Sequence, residues 1–247
     1  MKIKTIIFIL MLSHSTVSVS AECVVLLHGL ARASSSMGEL ENKLTKEGYF
    51  VVNIEYPSRK KSISQLSEIA VGGGLEKCSK NFSYPVNFVT HSLGGILVRQ
   101  FYKNNPPENV KRVVMLGPPN NGSEVVDSLK TMPGYELLNG PAGMQLGTKK
   151  NDIPKNLGPV NFDVGIIAGT QSINLVLSAF LPNPDDGKVS VESTKVEGMC
   201  GFVALPVTHP FLMKNNQVIS EVISYLAHGE FASKNAMNYC TEGDFGR

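Results

Sequence analysis

The chain has 247 residues, of which 23 are basic and 21 acidic, with 42% hydrophobic side chains, four cysteines and no tryptophan. That length suits one α/β domain with a sizeable core. The near-balance of charge excludes the basic patterning expected of a nucleic-acid binder or a protein held on an anionic membrane.

Residues 1–21 read as a secretory signal. Lys2 and Lys4 give a basic start, residues 6–12 a short apolar run, and Val19-Ser20-Ala21 a small-residue cleavage site. A membrane anchor needs about 20 apolar residues, and no segment after the signal is long and apolar enough to span a bilayer. Cleavage after Ala21 is expected, which leaves as many basic as acidic residues and makes the mature chain secreted or periplasmic. Residues 22–247 contain no repeat and no low-complexity linker, so they are expected to form a single domain.

The first apolar run, 23–27 (CVVLL), is a strand ending in His28-Gly29-Leu30. Ser36-x-x-Glu39 has the form of a capping box opening a helix, with Leu40 and Leu44 on its inner face and Gly48 closing it. Residues 49–56 form the next strand, stopped by Pro57. A helix is expected from about Ser62, although Gly72-Gly73-Gly74 lies within it without evident reason. Residues 86–90 are a strand that runs straight into His91-Ser92-Leu93-Gly94-Gly95 and then an apolar helix ended by Pro106-Pro107. Residues 112–116 are a strand, and Gly117-Pro118-Pro119 through Gly122-Ser123 a loop leading to a short helix.

Residues 131–159 carry no clean period and read either as a small lid-like insertion over a binding site or as a solvated loop. Order resumes with a strand at 162–168, a helix at 173–180, a turn-rich loop at 182–187, a strand at 202–207 and an amphipathic helix at 217–227. Mostly apolar strands alternating with helices predict a parallel sheet of about six strands covered on both faces. Ligands in such sheets sit at the carboxyl ends of the strands.

Strand, tight turn and helix with a serine at the tip is the form of a nucleophile elbow. It would raise the Ser92 hydroxyl clear of the sheet and aim the Leu93 amide at the carbonyl oxygen under attack. Thr90 stands where Gly-x-Ser-x-Gly has its first glycine. A serine needs a base, and the base an orienting acid. His91 should point away from the pocket, His28 ends a strand in a His-Gly pair, and His228 closes the last helix. His209, in the loop after the last strand, is the candidate base. Among the acids, Asp127 and Asp152 fall in a helix and the irregular segment, and Asp163 sits at the wrong end of a strand. Asp185 and Asp186 remain; Asp186, before Gly187, is preferred, with Asp185 the alternative. The oxyanion hole needs two amides, assigned to Leu93 and Leu30.

Leu27-His28-Gly29, Thr90 through Gly95, Asp186-Gly187-x-Val189 and His209 together resemble the α/β-hydrolases, most of all their bacterial lipase and esterase branch, over nearly the whole mature chain. The resemblance implies Ser92 as nucleophile, His209 as base, Asp186 as its partner, and carboxylic esters as substrates, small-molecule or lipid. No cofactor and no metal is implied. In that fold Cys23 and Cys78 lie at the amino end of the sheet, as do Cys200 and Cys240. The pairs Cys23–Cys78 and Cys200–Cys240 are therefore expected. The reaction expected is hydrolysis through an acyl-enzyme on short or medium acyl chains. Acyl transfer, thioester or amide hydrolysis, and a non-catalytic binding protein on the same scaffold are the alternatives.

Overall fold

The computed structural model describes residues 21–81, 85–241 and 243–246; the expected signal segment lies outside them, apart from Ala21. Its frame is a seven-stranded sheet, one strand more than the sequence predicts. The strands are β1 (Cys23–Leu27), β2 (Phe50–Ile54), β3 (Val86–His91), β4 (Val110–Leu116), β5 (Val164–Gly169), β6 (Gly201–Leu205) and β7 (Met237–Asn238), in the order β2-β1-β3-β4-β5-β6-β7. All pairs are parallel except β6 with β7, a two-residue edge strand too short to leave a pattern in sequence.

Alternate side chains along each strand enter opposite cores, as the pleat requires. Val25 and Leu27 of β1 join Phe88 and Met115 beneath α2 (Ile63–Ser67), α3 (Gly73–Asn81) and α4 (Leu93–Asn104). Val24 and Leu26 join Val89, Val114 and Ile167 on the other face, under α1 (Gly38–Lys46) and α10 (Asn216–His228). Leu40 and Leu44 of α1 are fully buried, each stabilising the fold by roughly 1.5–3 kcal/mol. At the amino end of the sheet Asp163 accepts from the Tyr225 hydroxyl at 2.6 Å and faces Arg112 Nε at 3.5 Å. Arg112 also donates to the Leu226 carbonyl at 2.7 Å, tying α10 to the sheet.

The local expectations fail where side chains find other partners. The capping box at Ser36 does not form: Ser36 lies within a 3₁₀ turn and its hydroxyl donates to the Ala33 carbonyl. The box appears instead at Ser62, reciprocally bonded with Gln65 at the start of α2. The glycines at 72–74 end a π turn (Glu68–Gly72) and let α3 press onto β1, where a Cβ on Gly74 would lie 2.5 Å from Val25 Cγ1. The helix expected at 173–180 shrinks to α8 (Leu175–Ser178). Residues 131–159 hold two helices, α6 (Tyr135–Met144), kinked at Gly140-Pro141, and α7 (Ile153–Asn156). They follow α5 (Glu124–Leu129), while α9 (Val191–Thr194) precedes β6.

Two disulfides join Cys23 to Cys78 and Cys200 to Cys240, the pairs expected. No helix among the described residues is long and apolar enough to cross a membrane.

Candidate active site

Ser92 stands between β3 and α4 with φ 53° and ψ −117°, a left-handed conformation that a residue bearing a Cβ adopts only under constraint. The constraint is visible on both sides. The Ser92 amide donates to the Leu116 carbonyl at 2.8 Å, and the Ser92 carbonyl accepts from Gly95 at 3.1 Å. Two residues on, a Cβ at Gly94 would stand 2.8 Å from the Leu27 carbonyl oxygen, so only glycine lets the helix start this close to β1. Thr90, in place of the usual first glycine, is buried within β3.

Asp186 and His209 meet side chain to side chain, with Nδ1 2.7 Å from Oδ2. A carboxylate only accepts, so Nδ1 carries the proton and the lone pair of the neutral ring lies on Nε2. The other Asp186 oxygen accepts from the amides of Lys188 at 3.0 Å and Val189 at 2.9 Å, and the His209 amide donates to the Asp186 carbonyl at 3.0 Å. The acid is thus 1% exposed yet fully served. Asp185 points elsewhere: it accepts from the Gly187 amide at 2.7 Å and from the Ser178 hydroxyl.

The loop after β1 carries Leu30 and then Ala31, whose φ is 55°. The Ala31 amide donates to the Ser58 hydroxyl at 3.1 Å. His28 beneath it is buried, stacked on Tyr56 with ring centroids 4.0 Å apart, and its carbonyl accepts from the Tyr56 hydroxyl. Burial lowers the His28 pKa against smaller opposing effects of the Gly29 carbonyl and Glu55, and raises that of Tyr56.

His91 corrects the sequence reading. Its ring packs against the His209 ring, 4.7 Å away, with Nε2 donating to the His209 carbonyl at 3.1 Å, and the residue is among those lining the cavity. Desolvation, followed by the neighbouring His209, holds its pKa well below the usual histidine range. His91 ends β3, in register with Leu116 and on the face of Val89, and there that face meets the loop carrying His209.

Ser92, Leu30, His91 and His209 line one cavity of about 320 Å³, whose other wall includes Tyr135 and Leu146 from the segment 131–159. Asp127 and Asp152 support that segment from behind: Lys130 bridges them at 3.1 and 3.2 Å, and Asp127 accepts from the Thr148 hydroxyl at 2.6 Å. Sequence reasoning missed Ser58, which braces the Leu30 loop, and Arg32 and Lys188, which line the cavity. Their one signal is position, each being within a few residues of a strand end or of Asp186.

The cavity and its side chains can be set beside known proteins. No curated protein sequence matches the chain. Among solved structures, the mature lipase BlEst2 of Bacillus licheniformis superposes with a TM-score of 0.66 at 19% identity, over 84% of this chain and 91% of that one. Lipase B of Aspergillus fumigatus gives 0.64 at 17%, over 84% and 53%. A structure from the metagenome-derived lipolytic enzymes LipS and LipT gives 0.60 at 14%, over 85% and 96%. These likenesses establish the α/β-hydrolase fold. The sequence model of the palmitoyl protein thioesterase family matches residues 23–153, from β1 through the first cavity wall to α7. With more than half its length in that match, the chain belongs to the palmitoyl protein thioesterase family of α/β-hydrolases and is a hydrolase acting on esters.

Proposed function

We propose that the chain is an exported serine hydrolase that cleaves short- or medium-chain acyl esters through Ser92, His209 and Asp186. The observation that carries this reading is the 2.7 Å bond from His209 to Asp186, at the edge of the cavity that Ser92 enters from its elbow. His209 Nε2 takes the Ser92 proton as Oγ bonds to the substrate carbonyl. The amides of Leu93 and Leu30 hold the oxyanion. Collapse expels the alcohol or thiol, which recovers the proton from His209 and leaves an acyl-serine. Water, deprotonated by the same ring, then adds to the acyl carbon, and the acid departs as Ser92 regains its proton.

The cavity volume is at the small end of the about 300–1,000 Å³ of ligand pockets, which favours short or medium chains. In this reading residues 131–159 act as a fixed small lid within a single domain spanning 22–247, and the two disulfides accord with export to the periplasm or beyond. A thioester is the second substrate class, favoured by the family description. The test is hydrolysis of p-nitrophenyl esters of two to sixteen carbons beside the matching S-acyl-N-acetylcysteamines, in wild type and Ser92→Ala. Activity peaking at one chain length and lost in the variant is expected. No turnover of either series, with no labelling of Ser92 by a fluorophosphonate, would leave a binding protein on a hydrolase scaffold.

A further inference from the structure

The cavity around Ser92 adjoins a wider groove of about 1040 Å³, the two sharing Ala31 and Arg32 in their walls. The groove has a charge that composition does not foreshadow. Arg59 and Lys60 reach it from the loop after β2, Lys214 from the turn after His209, and Arg32 from the loop after β1. Its one carboxylate, Glu55, is already engaged: Oε2 accepts from the Ser34 amide at 2.6 Å and Oε1 lies 3.7 Å from His28 Nε2. Among the described residues, none of the four cations pairs with a carboxylate. A fifth cation, Lys188, stands in the cavity wall near enough to Arg32 to feel its charge.

Convergence of cations from separate loops on one concavity raises the local potential and concentrates anions there. Four cations exceed what one carboxylate would need, and the fork of an arginine matches phosphate oxygens. A concave groove also fits a single headgroup-sized ligand better than a flat membrane face. The apolar side chains Val125, Val126 and Leu146 lie on the cavity side, with Ser92. The acyl chain therefore belongs in the cavity and the leaving group in the groove.

We propose that the groove binds the leaving-group side of the substrate, and that this leaving group carries phosphate. The inference rests on the hydrolytic reading of Ser92 and narrows its substrate to acyl esters or thioesters of phosphorylated alcohols or thiols. Hydrolysis places the water oxygen on the acyl carbon and returns a proton to the departing oxygen or sulfur, the phosphate being untouched.

The experiment compares kcat/KM within two matched pairs. The ester pair is 1-octanoylglycerol 3-phosphate against 1-octanoylglycerol; the thioester pair is S-octanoyl-4′-phosphopantetheine against S-octanoylpantetheine. A preference of about tenfold or more for the phosphorylated member is expected at low salt in one pair at least, shrinking as salt rises. The pair that shows it tells alcohol from thiol. The triple substitution Arg59→Gln, Lys60→Gln, Lys214→Gln should bring that ratio close to one, whereas Lys46→Gln on the far end of α1 should not. Ratios near one in both wild-type pairs, or a preference that survives the triple substitution, overturn the proposal. Titration of Ser92→Ala with 1-O-octylglycerol 3-phosphate and 1-O-octylglycerol, followed by calorimetry, needs no turnover. If no ester or thioester is cleaved the hydrolytic reading falls, and equal affinities for these two ethers would then remove the groove assignment as well.

Discussion

Gly117→Ala places a methyl group against the Asp186–His209 bond and so measures how tightly that pair is held. Gly117 follows β4 with φ +54°, its amide donating to the Ile167 carbonyl at 2.9 Å. A Cβ there would lie 3.1 Å from both Asp186 Oδ2 and His209 Nδ1, and 2.8 Å from Leu212 Cδ1. The leucine methyl is the end of a flexible side chain and can retreat. The two polar atoms cannot, because either movement lengthens a 2.7 Å bond. Left-handed strain costs about 1–2 kcal/mol, offset by about 0.4–1 kcal/mol through the stiffer unfolded chain, and overpacking adds about 1–3 kcal/mol. The net expectation is a loss of about 1–5 kcal/mol in urea unfolding at pH 7. Turnover should fall further than stability implies, by about a hundredfold for an ångström of misplacement, with KM moving less. Gly38→Ala, where nothing lies within 4 Å of the new methyl, is the control and should leave kcat alone. Wild-type kcat in Gly117→Ala would mean that the pair is loose and the geometric argument wrong.

Ser58→Ala removes the acceptor of the Ala31 amide; unfolding should show a loss of about 1 kcal/mol, and kcat a fall of up to the 10²–10³ of a missing oxyanion donor. Unchanged kcat would place the Leu30 amide outside the reaction. Asp186→Asn should lower kcat by about 10⁴, in line with the effect of that change in a serine protease triad. Asp185→Asn, which disturbs only the bonds to Gly187 and Ser178, should cost chiefly stability, and the reverse ranking would exchange the two roles. Acid should destabilise the fold through His28 and His91, both held below 6.5 by burial. The unfolded chain takes up these protons first, so their contribution is complete above about pH 7 and declines below about 6.5, by at most about 1.4 kcal/mol per pH unit for each ring. Melting curves from pH 5 to 8 should therefore flatten in His91→Gln, and an unaltered slope would mean that His91 is protonated within the fold.

Much of the site was legible because elbow chemistry is local. The small residues after Ser92, the strand before it and the His-Gly pair closing β1 are each contiguous in sequence. What they demand is met by backbone within a few residues. Asp186 and His209 could be placed by their positions after β5 and β6, but that His209 meets Asp186 and not Asp185 is a tertiary contact, since either aspartate satisfies the turn before Gly187. The seventh strand, the displaced capping box and the helices within 131–159 escaped for the same reason. Ser36 and Ser62 both have the box spacing, and only the packing of the following turn selects the second. The orientation of His91 escaped because the group its ring meets, the His209 carbonyl, is brought to it only by tertiary folding.

The two histidines at the centre of the site divide the work by environment rather than by type. His209 is fixed from two directions: Asp186 binds its Nδ1, and His91 binds its carbonyl oxygen. Only Nε2 is then left for a serine proton. His91 spends its own Nε2–H on that carbonyl, and its Nδ1 is buried without a hydrogen-bond partner among the described residues. Protonating that nitrogen would bury a second positive charge 4.7 Å, ring to ring, from the imidazolium that the proposed cycle creates on His209. Burial that keeps His91 neutral therefore also avoids a second positive charge beside that ring. The proton-accepting role can fall to His209 alone, even though the two rings stand side by side.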